Sequence, residues 1–172
     1  MDYYPYRFEA SIDRFGVVKT RVIWYSVVFL TRELQAALPF GQYPRLRVEG
    51  EINEVPIENA FLPTGDGRHY LIVSPRVMKE AAVEAGDKVR ILFRIADQNR
   101  VEVPQALQSA IDKDTQASEA WTALTPGKKR MLAQHVLSAK TPKTRAKRVV
   151  ESLDALIHFR ADLRAWRKAR SR

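Results

Sequence analysis

Hydrophobic and polar positions alternate through much of the first hundred residues, and the alternation predicts strands. Arg7 to Asp13 reads as a half-buried strand. Val22 to Leu30 is rich in β-branched and aromatic residues and reads as another. Leu46, Val48, Gly50 and Ile52 alternate with Arg47, Glu49 and Glu51, the pattern of a strand with one wet face. Val55 to Leu62 fits a strand weakened by Pro56. After the Gly65-Asp66-Gly67 turn signal come strands at Tyr70–Val73 and, past a turn at Ala85-Gly86-Asp87, at Val89–Ile95. Two short helices interrupt the series. Thr31 caps Arg32 to Leu38, which Pro39 and Gly41 end, and Ser74-Pro75 opens a helix to about Val83. Short strands, tight turns and few helices favour a small, mainly antiparallel β-barrel over parallel βαβ units.

After Pro104 the period changes to that of helices. The pattern predicts helices over Gln105–Ile111 and Ala117–Leu124, then from Thr125-Pro126 to about Lys140 and from Thr141-Pro142 to about Phe159. In the last, Ala146, Val149, Val150, Leu153, Leu156 and Ile157 mark an apolar stripe. The tail from Arg160 either extends this helix or hangs free. The fold class is therefore α+β: a β-barrel domain over residues 1–104, then a small helical domain over 105–172 with a basic tail from about 160. Trp24 and Trp121 are assigned to the core or to the contact between the modules.

Charge sharpens this division. The 172 residues carry 29 Lys+Arg and 20 Asp+Glu, a net of +9. Residues 1–104 hold 14 bases and 14 acids, whereas residues 105–172 hold 15 bases and 6 acids, so the helical part owns the whole excess. An excess so placed points to an anionic partner of that part, either nucleic acid or another phosphate-bearing anion, or the peripheral surface of an anionic membrane. Nucleic acid ranks first. The lipid reading rests on the basic tail with Leu163 and Trp166, whose apolar face is thin.

Composition removes several chemistries. Without cysteine there is no thiolate nucleophile and no Cys-based metal centre. His69, His135 and His158 stand apart, so no metal site is expected. Neither the serine elbow nor a phosphate-binding glycine loop of the usual spacings occurs, and no catalytic residue and no cofactor is expected. Met1 to Tyr6 has no basic segment followed by an apolar one, and the longest near-apolar run, Val22 to Leu30, is too short for a membrane helix. The chain reads as soluble and cytoplasmic.

Ser138-Ala139-Lys140, Thr144-Arg145 and Arg148, preceded by Trp121, Leu124 and Lys128-Lys129-Arg130, resemble the signature of the bacteriocin-protection, YdeI/OmpD-associated domain. Upstream, Trp24, Val48-Glu49-Gly50, Pro63, Gly65-Asp66-Gly67-Arg68-His69 and Gly86-Asp87-Lys88-Val89 are similar to the uncharacterised small β-barrel domain that often precedes it. The resemblance covers roughly residues 6 to 158 and implies a barrel followed by a helical domain. It also implies a bacterial protein linked to tolerance of bacteriocins or antimicrobial peptides, with no enzymatic activity attached. Glu54 stands where that pattern usually turns with glycine, and the basic tail departs from it.

Two sets of residues are candidate sites. Lys128, Lys129 and Arg130 open the third helix, and Lys140, Lys143, Thr144, Arg145, Lys147 and Arg148 surround the start of the fourth, with no acid between Lys128 and Arg148. Cations at a helix N-terminus cost about 0.3–1 kcal/mol each, a sign that an anion would reverse. The competing reading is a solvated face paired with acids elsewhere. In the barrel, Asp66, Arg68 and His69 follow a glycine turn and are candidates for a pocket mouth of a small-molecule-binding or enzymatic barrel. An ordinary hairpin turn is favoured there.

Overall fold

Alternation in the first hundred residues becomes seven antiparallel strands in the computed structural model, which describes residues 3–171. Met1, Asp2 and Arg172, the last base of the tail, lie outside the described residues. The strands are β1 (Tyr6–Ser11), β2 (Asp13–Val18), β3 (Val22–Phe29), β4 (Leu46–Ile52), β5 (Val55–Pro63), β6 (His69–Ile72) and β7 (Lys88–Ile95). Their order across the sheet is β1-β7-β4-β5-β6-β3-β2. The two edge strands are thus neighbours in the chain, with only Ile12 between them, and the sheet curls into a half-barrel whose ends approach each other. Ile12 is buried at that corner and exchanges backbone hydrogen bonds with Asp87 and Gly86.

The concave face holds the core. Leu46, Val48, Ile52, Phe61, Leu71, Ile91 and Phe93 are essentially inaccessible, and Phe8, Phe61 and Phe93 pack edge to face or tilted. Gly50 belongs to this alternation for a steric reason. A Cβ there would lie 2.1 Å from the Leu92 carbonyl oxygen and 2.8 Å from Phe93 Cα, so β4 and β7 approach only because the side chain is missing. Pro56 is tolerated because β5 is flanked there by β4 alone, β6 joining only at Leu62 and Pro63.

Helices α1 (Arg32–Ala37) and α2 (Pro75–Glu80) form at the expected caps, with Thr31 Oγ1 accepting from Leu34 N and Ser74 Oγ from Val77 N. Between β4 and β5 the chain reverses in two residues, Asn53 at φ 45° and Glu54 at φ 69°, the geometry of a hairpin turn that favours glycine. β2 has no counterpart in the alternation, because Asp13-Arg14-Phe15-Gly16-Val17-Val18 does not alternate cleanly and Gly16 reads as a breaker.

The backbone falls into two units, Met1–Gln98 and Asn99–Arg172. Residues 99–104 contribute one base and one acid, so the charge division stays as the sequence has it. The second unit consists of α3 (Gln105–Asp112), α4 (Thr115–Thr122), α5 (Pro126–Leu137), α6 (Pro142–His158) and α7 (Leu163–Arg170). Leu107, Ile111, Ala117, Leu132, Val136, Ala155, Leu156 and Trp166 form its core. The α6 stripe is rotated from the expected one. Val149, Ser152, Ala155 and Leu156 face inward, whereas Ala146 and Val150 are exposed.

The tail is neither an extension of α6 nor a free end. Arg160 and Ala161 take positive φ values of 50° and 65° and turn the chain, and Asp162 then caps α7 by accepting from Arg164 N and Ala165 N. Leu163 and Trp166 are buried against the other helices, and Trp166 Nε1 donates to Asp154 at 2.7 Å. The two other tryptophans also part ways. Trp121 is half-buried beside the helical core, but Trp24 is 60% exposed and belongs to no core.

Candidate functional site

Helices α5 and α6 form an antiparallel hairpin, which decides where the basic run goes. Arg148 Nη1 donates to the His135 carbonyl at 3.0 Å and to Ser138 Oγ at 2.7 Å, His135 Nε2 meets Glu151 Oε2 at 3.0 Å, and Lys128 Nζ reaches the Arg160 carbonyl at 3.4 Å. The start of α5 therefore lies beside the end of α6. A helix of twelve residues is about 18 Å long, so the two halves of the run sit at opposite ends of the hairpin. Contiguity in the sequence does not make one site.

At the far end, Lys128, Lys129 and Arg130 occupy the first turn of α5, capped by Thr125 Oγ1 accepting from Lys128 N at 3.4 Å. Lys129 Nζ stands 5.7 Å from the centre of the Trp121 ring, and Arg130 donates to the Arg100 carbonyl at 3.2 Å. Each base here has a partner within the unit.

At the near end the YdeI-like signature divides into two kinds of residue. Ala139 is buried, Thr141 Oγ1 accepts from Thr144 N at 3.2 Å, and the two threonine hydroxyls are 2.9 Å apart. Arg145 Nη2 approaches the Ala139 carbonyl at 3.5 Å, and Arg148 holds the carbonyl of His135. These two arginines answer the carbonyls that the end of α5 leaves without helical partners. Lys147 lies 4.0 Å from Glu151. Lys140 and Lys143 are exposed, and their ammonium groups have no ion-pair or hydrogen-bonding partner among the described residues.

Four acids of this unit are engaged elsewhere, while Glu119 on α4 is exposed with no side-chain partner among the described residues. Asp114 and Asp162 cap α4 and α7. Glu151 is held between His135 and Lys147. Asp154 receives Trp166 Nε1 and Arg170 Nη2, both at 2.7 Å, and these donors hold its carboxyl below the usual carboxylate range. Backbone N–H groups of Ala165 and Arg164 do the same for Asp162. Arg167 and Lys168 on the outer face of α7 likewise lack partners among the described residues.

In the sheet unit, Asp66, Arg68 and His69 do not converge. Asp66 and Arg68 pair with each other in solvent at the β5–β6 turn, Arg68 Nη2 to Asp66 Oδ2 at 3.0 Å, with Thr64 Oγ1 also bonded to Asp66. The Arg68 and Thr64 donors hold the Asp66 carboxyl at about 2. The Arg68 guanidinium also covers the Phe29 ring at 4.4 Å. His69 is buried instead, stacked on Phe40 with ring centres 3.6 Å apart. Its Nδ1 lies 2.6 Å from Gln35 Nε2 and its Nε2 lies 3.2 Å from the Pro44 carbonyl, so the neutral Nε2–H form satisfies both neighbours. Burial lowers its pKa. Neither of two shallow surface clefts in this unit is lined by any of the three residues.

Among the described residues no three His, Cys, Asp or Glu side chains cluster as metal ligands, and no helix is long and apolar enough to cross a membrane. Fold and site together define a two-module protein, a neutral curled antiparallel sheet followed by a basic helical bundle. Residues 8–92 match the family model of a domain of unknown function, DUF1905. Residues 100–157 match the model described as bacteriocin-protection, YdeI or OmpD-associated. The two matches follow one another along the chain in the order that the sequence resemblance implies. No curated protein matches it.

Proposed function

We propose that the helical unit is a binding module for an anionic partner, with the backbone of a nucleic acid or another phosphate-bearing polyanion as the partner class. The observation that carries this reading is the distribution of partners. Asp114, Glu151, Asp154 and Asp162 are consumed by caps and interhelical bridges, while Lys140, Lys143, Arg167 and Lys168 remain in solvent without counter-ions among the described residues. The first turn of α6 adds one backbone N–H, that of Lys143, because Pro142 has none and Thr144 N and Arg145 N already donate to Thr141. The description of the matched family suggests the setting, protection against bacteriocins, in which such a module would serve as an interaction protein rather than an enzyme.

A lipid surface is the weaker partner, because Leu163 and Trp166, the apolar residues of the tail, are spent inside the bundle. The test is binding of the full chain to short duplex DNA, single-stranded RNA and anionic vesicles over a range of salt. Salt-sensitive binding to a nucleic acid supports the reading, and absence of binding to all three, or binding that salt does not weaken, overturns it.

A further inference from the structure

The β2–β3 hairpin presents a surface that none of these roles uses. The β6 side of β3 is bonded only from Ser26 to Leu30, so the outer half of the hairpin extends beyond the rest of the sheet as a two-stranded arm. Hydrogen bonds fix how each residue faces. Ser26 O accepts from Val73 N and Leu30 N donates to His69 O, which turns the even-numbered backbone groups of β3 toward β6 and the odd-numbered ones toward β2. Through the register Phe15↔Tyr25, β2 then commits Asp13, Phe15 and Val17 to β3 and leaves the N–H and C=O groups of Arg14, Gly16 and Val18 on the open edge. The bond from Lys19 N to Arg21 O at 3.0 Å closes the hairpin in the same phase.

The side chains on this face form an apolar step. Val18 is 78%, Val22 49% and Trp24 60% exposed. A Cβ on Gly16 would stand 3.0 Å from Val22 Cγ1 and 3.3 Å from the Trp24 ring, so the indole lies across the bare glycine, opposite which it is paired. Edge strands are ordinarily blunted by charges or proline along their length, by bulges or by a covering element. Here the middle of the edge is Gly16 and Val18, and the charges stand at its two ends: Asp13 and Arg14 before it, Lys19 and Arg21 at the tip. These three cations have no ion-pair or hydrogen-bonding partner for their side chains among the described residues.

We propose that the β2 edge receives an extended acidic peptide segment by strand addition. The incoming backbone pairs with Arg14, Gly16 and Val18, its apolar side chains rest on Val18, Val22 and Trp24, and its carboxylates meet Arg14, Lys19 and Arg21. The cations and the open backbone choose among occupants. A second copy brings only one acid to this edge, Asp13, against the same three cations, whereas an acidic segment answers all of them. A bilayer's hydrocarbon offers no donors or acceptors to pair with the open backbone groups of Arg14, Gly16 and Val18.

The test is amide hydrogen exchange, followed by NMR on the full chain, with a peptide of alternating glutamate and valine as the probe. Exchange at Arg14, Gly16 and Val18 is expected to slow by at least about tenfold on peptide addition. Val18→Pro removes an N–H that faces away from β3 and should abolish the effect, since proline is tolerated on an open edge. The double variant Lys19→Glu, Arg21→Glu leaves the edge backbone intact and should weaken the peptide by at least about tenfold. Four results overturn the proposal: no protection with the hairpin folded; an equal response to a lysine–valine peptide; protection without peptide that grows with protein concentration; or a response to anionic vesicles alone.

Discussion

Arg148 on α6 donates to the backbone carbonyl of His135 on α5 at 3.0 Å. With a second bond to Ser138 Oγ at 2.7 Å, it closes the end of one helix with the side chain of the next. The last arginine of the YdeI-like signature is therefore a structural clamp before it is anything else. Arg148→Lys, which keeps the charge but not the fork, should lower the stability of the helical unit by about 1–2 kcal/mol. Chemical denaturation followed by far-ultraviolet circular dichroism reads this. An unchanged midpoint would mean that the clamp is decorative.

Lys140→Ala together with Lys143→Ala should do the opposite. Neither ammonium group has a partner among the described residues, so stability should move by less than about 0.5 kcal/mol while affinity for a polyanion falls. Denaturation and binding measured on the same preparation separate the two effects.

Asp154 should decide whether the C-terminal helix docks. It receives both Trp166 Nε1 and Arg170 Nη2, so Asp154→Ala leaves a buried indole N–H without its acceptor. The expected loss is about 1–3 kcal/mol, with faster proteolysis of residues 160–171 and a red-shifted tryptophan emission. Proteolysis at the wild-type rate would count against that docking.

His69 gives the sheet unit a pH dependence of known sign. Burial depresses its folded pKa below the ordinary 6.5, so the unfolded chain binds the proton more readily. The neutral ring's contribution is complete above pH 6.5 and is lost as pH falls through that value toward the depressed one. Lowered carboxylates, such as Asp154, also lose stability on acidification, but in the more acidic carboxylate range. Denaturation midpoints at pH 7.5 and 5.5 should differ more for the wild type than for His69→Gln, which cannot take up the proton.

Much of this fold was legible because its signals are local. Thr31, Ser74, Thr125 and Thr141 cap their helices where hydroxyl followed by helix former places them, and Leu46 to Ile52 alternates as a half-buried strand must. What escaped depends on partners distant in sequence. β2 is a strand because β3 lies beside it, although Gly16 reads as a breaker. Asp162 initiates α7 after two residues in the left-handed region, a turn that neither Arg160 nor Ala161 announces. The candidate site was the least legible. An acid-free run looks like one patch on paper, and only the antiparallel hairpin sends Lys128 and Lys143 to opposite ends. His69 follows a glycine turn, where the sequence favours an ordinary hairpin and offers a pocket only as the alternative; neither reading reveals that it alternates inward from exposed Arg68.

Glu54 shows a local cost accepted at a turn. It sits at φ 69°, where a Cβ is disfavoured by roughly 1–2 kcal/mol, and its side chain gains only an exposed pair with Arg90 at 3.8 Å. Glu54→Gly should raise the stability of the sheet unit by about 0.5–1 kcal/mol. A thermal midpoint that stays constant or falls would show that the ion pair outweighs the strain.

The most direct test of the anion-binding role is the salt dependence of binding between the full chain and a short duplex DNA, compared with the Lys140→Ala, Lys143→Ala variant. The logarithm of affinity should fall linearly with the logarithm of salt concentration, and the variant should bind more weakly with a slope shallower by about one to two. A wild-type slope near zero, or a variant with the affinity and slope of the wild type, would contradict the assignment of these lysines to an anionic partner.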